Sequence, residues 1–183
     1  MQKTDLSLYN NHPYHPGGNA LKRFLWHYTN VFFFRSGLFP IYRLKIFLLK
    51  MFGAQMGRNI SIKPHVNIKY PWNLTVGDHV WIGENVWLDS LVMITIGQNA
   101  CISQGATLLT GSHNYKKNTF NLITGPVTLE DGVWIGAGAI VNQGITAASH
   151  AMLSSGSVAT KNMEAYSVYQ GNPAVKVRQR TIE

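Results

Sequence analysis

One histidine stands where a long regularity fails. The stretch Leu108-Leu109-Thr110-Gly111-Ser112-His113-Asn114-Tyr115 interrupts a run of six-residue repeats, and the run resumes at Leu129. An imidazole moves protons near neutral pH and ligates metals, so His113 is the first residue to weigh. His65, His79 and His150 fall at the corner position of a repeat, where a turn residue is expected anyway. His12, His15 and His27 precede the repeats, with no pattern to anchor a role. Cys101, the single cysteine, ends a repeat with no motif around it. It excludes an intrachain disulfide and suits a cytoplasmic protein.

The elements that must position His113 are read from the repeat. Aliphatic residues open successive hexads at Met56, Ile62, Ile68, Val76, Ile82, Leu88, Ile96, Ile102 and Leu108. After the break they continue at Leu129, Ile135, Val141, Ala147, Leu153 and Ala159. This period belongs to a hexapeptide β-helix and to neither an amphipathic helix nor an alternating strand. Of the fifteen residues at the fourth hexad position, thirteen are Gly, Asn or His. Those types best tolerate positive φ, as a sharp corner once per hexad requires. The exceptions, Pro71 and Leu91, lie in the hexads that a two-residue insertion follows.

Three hexads make a coil, so the interruptions after Ile68, Leu88 and Leu108 stack at one corner of a triangular prism, coils being about 4.8 Å apart. The loop at about 111–127 leaves from that modified edge, with His113 at its root. Long loops in compact domains are usually functional or disordered. The expected fold is all-β, a left-handed parallel β-helix with a short N-terminal helical region and one protruding loop. The division runs 1–20, a polar arm; 21–55, helical; 56–164, β-helix; 165–183, a C-terminal tail.

Composition bounds the partners. Sixteen Lys and Arg against eight Asp and Glu leave a formal charge of +8, which favours anionic partners without choosing among nucleic acid, membrane and phosphate-bearing molecules. The first twenty residues are polar and show no signal peptide. The most apolar stretch, Phe24 to Phe34, has eleven residues, where a membrane span needs about 20, so a soluble protein is expected. Leu21 to Arg35 and Leu38 to Phe52 read as two helices split by Ser36-Gly37 and Pro40. Their aromatics have two destinations. They pack on protein, the usual fate of an amphipathic face, or they enter a membrane interface with Lys22, Arg23, Arg35, Arg43, Lys45 and Lys50 toward lipid phosphates.

The hexads closed by GSHNY, the loop, GVWIGAGAIV (Gly132 to Val141), VATKNM (Val158 to Met163) and GNPAVKV (Gly171 to Val177) together resemble the left-handed β-helix acyltransferases. The N-terminal FRSGLFPIYRLKIFLLKMFGAQMG and IKPHVNIKYPWNLTVGDHVWIGENVWLDSLV are similar to the WcaF-like branch, which O-acetylates sugars in colanic-acid-type exopolysaccharide assembly. The resemblance implies a homotrimer with acetyl-CoA in the groove between adjacent prisms, a saccharide acceptor, no metal and no nucleic-acid partner. It also implies a cytoplasmic enzyme, with the helices as the candidate for peripheral contact at the inner face of the membrane. His113 matches the family's general base, and an imidazole suits removal of a proton from an attacking alcohol. Asp89, Asn114 and Tyr115 match positions near the acceptor, Asp89 meeting His113 across subunits; as a turn residue, Asp89 also has a purely structural reading. Asn114 stands where many relatives carry Asp.

For the cofactor, the resemblance implies Trp134, Gly136, Ala137, Gly138, Ser154, Lys161, Asn172, Pro173, Lys176 and Arg178. Cations and backbone N–H groups suit the phosphates of CoA, and the small residues would let a thioester arm approach closely. Two other functions fit the same coil. A zinc-dependent carbonic anhydrase needs three converging histidines, and Tyr115 to Val127 contains none. A non-catalytic scaffold would not be expected to carry the loop histidine.

Overall fold

The computed structural model describes residues 3–183. Three parallel sheets form the walls of a β-solenoid. One wall stacks Gln55–Met56, Leu74–Val76, Ile94–Ile96, Val127–Leu129 and Thr146–Ala147. The second stacks Ser61–Ile62, Trp81–Ile82, Cys101–Ile102, Trp134–Ile135, Met152–Leu153 and Ser167–Gly171. The third holds Asn67–Ile68, Trp87–Asp89, Thr107–Leu109, Ile140–Val141 and Val158–Ala159. Each hexad opener points inward, and all but Met56 are buried. In the second wall Ile62, Ile82, Ile102, Ile135 and Leu153 form one column through successive registers. Full burial of such a side chain stabilises by about 1.5–3 kcal/mol, so the column fixes register as well as stability.

Corner geometry follows the expectation at eleven fourth positions, from Asn59 (φ 55°) to Gly156 (φ 69°), all left-handed. Gly111 and Asn162 depart from it. Gly111 sits in an extended strand, and a Cβ there would lie 2.5 Å from Leu91 Cδ1. A side chain there would have to displace the end of Leu91, and no corner is made. Asn162 instead uses its Oδ1 to accept the Thr146 N–H at 2.9 Å as the last coil ends.

The interruptions stack as the spacing predicts, all between the third wall and the first. The long loop contains a two-stranded antiparallel ribbon, Gly111–His113 against Leu122–Thr124, in which His113 pairs with Leu122. The C-terminal tail, 165–183, carries two strands. Ser167–Gly171 continues the second wall beside Met152–Leu153 and folds back antiparallel onto Ala174–Gln179.

At the opposite end two helices close the prism, α1 (Ala20–Thr29) and α2 (Tyr42–Met51), with a π-helical run Asn30–Arg35 extending the first. Asn19 caps α1 by accepting the Lys22 N–H at 2.8 Å, the usual device for an orphan donor. Trp26, Phe34 and Leu49 are buried against the coil, and the Trp26 indole donates to Ile68 O at 2.9 Å. Lys45, one of the cations considered for lipid phosphates, is buried and donates to Ile62 O and Lys63 O at 3.3 and 3.0 Å. The helices therefore dock on their own coil. Their outer face keeps Phe24, Tyr28, Phe32 and Phe47 exposed. No described helix is long and apolar enough to cross a membrane.

Candidate active site

His113 is half-buried at the end of the ribbon strand. Its Nδ1 lies 3.0 Å from Phe120 O. A carbonyl oxygen only accepts, so Nδ1 carries the proton and donates it. The lone pair of the neutral ring is then at Nε2, the geometry of a base with a fixed tautomer. The Phe120 ring stacks on the imidazole, centroids 4.5 Å apart and planes 3° from parallel. Tyr9, from the N-terminal arm, covers it from 5.6 Å at a 49° tilt.

Phe120 adopts φ 49°, a left-handed conformation that a bulky side chain rarely takes. Strain of this kind persists where surrounding structure imposes it, often at functional sites. Here the turn is held by Phe120 N–H to Lys117 O and by Asn114 N–H to Asn121 O. The N-terminal arm ties down the same turn, through Asp5 N–H to Asn118 O and Asn10 N–H to Asn121 Oδ1.

Asp89 ends its strand beside Leu109 in the next coil. Its backbone oxygen accepts from the Thr110 hydroxyl and the Leu91 N–H. Its half-buried carboxylate accepts no hydrogen bond from the described residues, and burial raises its pKa, partly offset by the Lys69 charge. Burial pushes the Tyr14 and Tyr70 phenols upward; Tyr70 and then the Asp89 charge add to it at Tyr14, and at Tyr70 the Arg23 charge offsets part of it while Asp89 adds a smaller share. Tyr14 donates to Leu91 O at 3.3 Å. A carboxylate, two phenols and an ammonium thus gather at the interrupted corner, a donor and acceptor set suited to hydroxyl groups. No hydrogen bond joins this cluster to His113 of the same chain.

The other acceptor-side expectations separate. Asn114 Oδ1 accepts the Lys116 N–H at 3.2 Å, a turn contact, and Tyr115 projects outward, 77% exposed. On the cofactor side, Trp134 is half-exposed, its indole bound to Ser103 Oγ at 3.0 Å. It lines a groove of about 460 Å³ with Lys63, Trp81, Cys101 and Gln104 on the second wall. Gly136 lies outside that groove's lining, and a Cβ there would meet Ser155 N at 2.5 Å. Coil-to-coil contact accounts for that glycine. Gly138 is exposed with open space before it, beside the half-buried Ala137. Ser154 sits half-buried on the coil above, its N–H bound to Tyr169 O.

Lys161 is exposed, Asn172 and Pro173 form the exposed hairpin tip, and Arg178 is exposed without a carboxylate partner among the described residues. Lys176 is already paired with Glu164 at 2.7 Å. Arg180 is a clamp, its Nη1 donating to Gly132 O and His150 O at 3.0 Å each. Among the described residues no three His, Cys, Asp or Glu side chains group as a metal site would require.

No protein-family profile matches the chain. Individual relatives do. A putative colanic acid biosynthesis acetyltransferase of Escherichia coli K12, WcaF, is 38% identical over 164 residues, 90% of either chain. The chain belongs to the WcaF-like hexapeptide-repeat acetyltransferases. A galactoside O-acetyltransferase of the same organism is 29% identical over 136 residues, covering 72% of this chain and 66% of that protein. Among solved structures, a hexapeptide-repeat acetyltransferase of Vibrio cholerae complexed with acetyl-coenzyme A superposes with a TM-score of 0.79 at 22% identity, over 88% of either chain. That likeness confirms the parallel solenoid with its helical appendage.

Within this family member, the sequence singled out His113 and Asp89 but not the residues that hold them. Phe120 carried no signal, since its carbonyl and ring reach His113 only through a left-handed φ that is invisible in a one-letter string. Tyr9 and Tyr14 lay in an arm with no periodicity. Tyr70 lies in the hexad that the first insertion follows, and that position was the available clue.

Proposed function

We propose that this protein transfers the acetyl group of acetyl-CoA to a hydroxyl of a sugar or polysaccharide precursor, with His113 as general base at a subunit interface of a homotrimer. The observation that carries the proposal is the Nδ1–H of His113 bound to Phe120 O, which leaves Nε2 as the acceptor. Nε2 takes the hydroxyl proton as the alcohol oxygen attacks the thioester carbonyl. The resulting imidazolium returns that proton to the departing thiolate, so the ring ends as it began. No nucleophilic side chain enters, and the Cys101 thiol, pushed up by burial, stays protonated.

The acceptor class is supported by the Escherichia coli relatives, whose names specify colanic acid biosynthesis and galactoside O-acetylation. Acetyl-CoA is supported by the complex of the Vibrio cholerae neighbour. The groove with Trp134 and the open backbone at Ala137 and Gly138 would take the pantetheine. Lys161 and Arg178 are the free cations on the C-terminal side for the phosphates. Exposed Trp81, Trp87 and Trp134 on the flat walls support closure into a symmetric trimer, in which Asp89 of one chain would face His113 of the next.

The test is thiol release from acetyl-CoA by purified protein with a panel of hexopyranosides, with product mass as confirmation. Release equal to background hydrolysis with every acceptor would sink the reading, as would a stable monomer in sedimentation at micromolar concentration.

A further inference from the structure

Between α1 and the third wall lies a pocket of about 450 Å³, lined by Arg23, His27, Arg35, Lys69, Tyr70 and Trp87 among others. Three formal positive charges therefore face one cavity. None of them forms an ion pair with a described carboxylate, whereas Arg58 is matched by Asp78 and Lys176 by Glu164 elsewhere. Lys22 and Lys63 sit over aromatic rings outside this lining.

The polar inventory of the pocket is one-sided. Arg23 spends only Nη1 on the carbonyls of Gly17 and Gly18, at 3.5 and 2.7 Å, which fixes the guanidinium and leaves its remaining donors free. Arg35 has no side-chain partner among the described residues. Asn67, at the floor, has its Oδ1 occupied by Asn30 Nδ2 at 2.8 Å, and its own amide N–H groups remain. The Trp26 indole is committed to Ile68 O. The lining carries three cations and no carboxylate, with Trp87, 40% exposed, as an aromatic wall. Such a set matches phosphate oxygens, and Arg recognises them with a fixed fork.

The pocket shares Lys69 and Tyr70 with the acceptor cluster. Tyr70 is tied to the Asp89 corner by two hydrogen bonds with Ser90 Oγ, both at 2.9 Å. Lys69 is the cation whose field reaches Asp89. The cofactor groove with Trp134 lies on a different wall.

We infer that the pocket formed by Arg23, Arg35 and Lys69 binds the phosphate or diphosphate group of the acceptor, so that the sugar to be acetylated is presented as a phosphate-linked molecule. The inference deepens the sugar-acceptor reading and rests on it for the nature of the linked group. The diphosphate sits on the two guanidinium groups and the ammonium, and the sugar extends over Tyr70 toward Asp89. Nucleotide-linked and lipid-linked sugars share this chemistry.

The experiment uses the whole protein saturated with CoA, so that the cofactor's own phosphate site is filled. Inorganic pyrophosphate is titrated calorimetrically into wild type, into Arg35→Gln with Lys69→Gln, and into Arg43→Gln with Lys50→Gln, a charge-matched control on exposed residues of α2. The expected result is binding to wild type and control, and at least a tenfold weaker affinity in the pocket variant. Absence of binding to wild type, equal binding to the pocket variant, or an equal loss in the control each overturns the proposal. In a second arm, KM is compared for a free sugar, the same sugar on a nucleoside diphosphate, and the same sugar on a prenyl diphosphate. The linked form with the lower KM identifies the source, and in the pocket variant its KM rises to that of the free sugar. If no sugar is acetylated, the acceptor reading fails, yet the titration still decides whether the anion site exists.

Discussion

The imidazole of His113 lies parallel to the ring of Phe120, and the Phe120 carbonyl holds its Nδ1 proton. One residue thus fixes the plane of the imidazole by its side chain and the tautomer by its backbone. The strained φ of Phe120 is what lets both parts reach the same ring.

Replacement of His113 by Ala should lower turnover by about a hundredfold or more, the usual scale for loss of a general base. Affinity for CoA should hardly change. His79→Asn is the matched control, since His79 holds a corner at φ 59° that Asn also tolerates. Steady-state rates and CoA titration on the two purified variants check this, and equal losses in both would refute the assignment.

Phe120 separates stacking from tautomer control. Phe120→Gly keeps the carbonyl and relieves the left-handed strain, about 1–2 kcal/mol for a non-glycine residue. The variant should unfold at the same or a higher temperature and yet turn over about tenfold more slowly, because the ring loses its platform. Phe120→Tyr should retain the rate. A fully active glycine variant would show that the stack is only packing.

Asp89 gives a pH signature. Burial raises its carboxyl above the ordinary 3.8, so the folded state binds this proton more tightly than the unfolded chain. Stability from that group is present below the unfolded value and is lost as pH rises through the folded one. Asp89→Asn should therefore melt higher than wild type at neutral pH, and the two curves should converge in acid below the usual carboxylate range. Melting temperatures across pH 3 to 8, on the order of a few degrees apart at the neutral end, decide the matter. A simultaneous fall in kcat/KM would show that the carboxylate serves the acceptor at the expense of stability.

Lys45 tests the closed end of the prism. Its ammonium donates to Ile62 O and Lys63 O from a buried position, and burial depresses its pKa. Lys45→Met removes a charge from the interior but strands those carbonyls, at a cost of about 1–3 kcal/mol. Denaturant unfolding near pH 7 should show that loss. Because the folded pKa is depressed, folding binds this proton less tightly than the unfolded chain does. Wild-type stability should therefore rise as pH climbs from the folded value toward 10.5, and the variant should lack that rise.

The hexad openers and corner residues determined the coil, because a six-residue period admits one packing in which every aliphatic points inward. The spacing alone stacks Ile62, Ile82 and Ile102, and the interval from Ile68 through Leu88 to Leu108 places the loop on a single edge. His113 was legible for the same reason, as the histidine off that periodic grid within the repeats. Tertiary structure decided everything that depends on contacts distant in sequence. Phe120 reaches His113 through a left-handed turn, and Tyr9 comes to it from the other end of the chain. Arg35 and Lys69 share a pocket although one belongs to the helical segment and the other to the coil. Gly111, which fits the corner pattern, sits in an extended strand against the Leu91 side chain instead of at a corner. A periodic pattern records local geometry and inward facing, and it is silent on which distant groups the folded chain sets side by side.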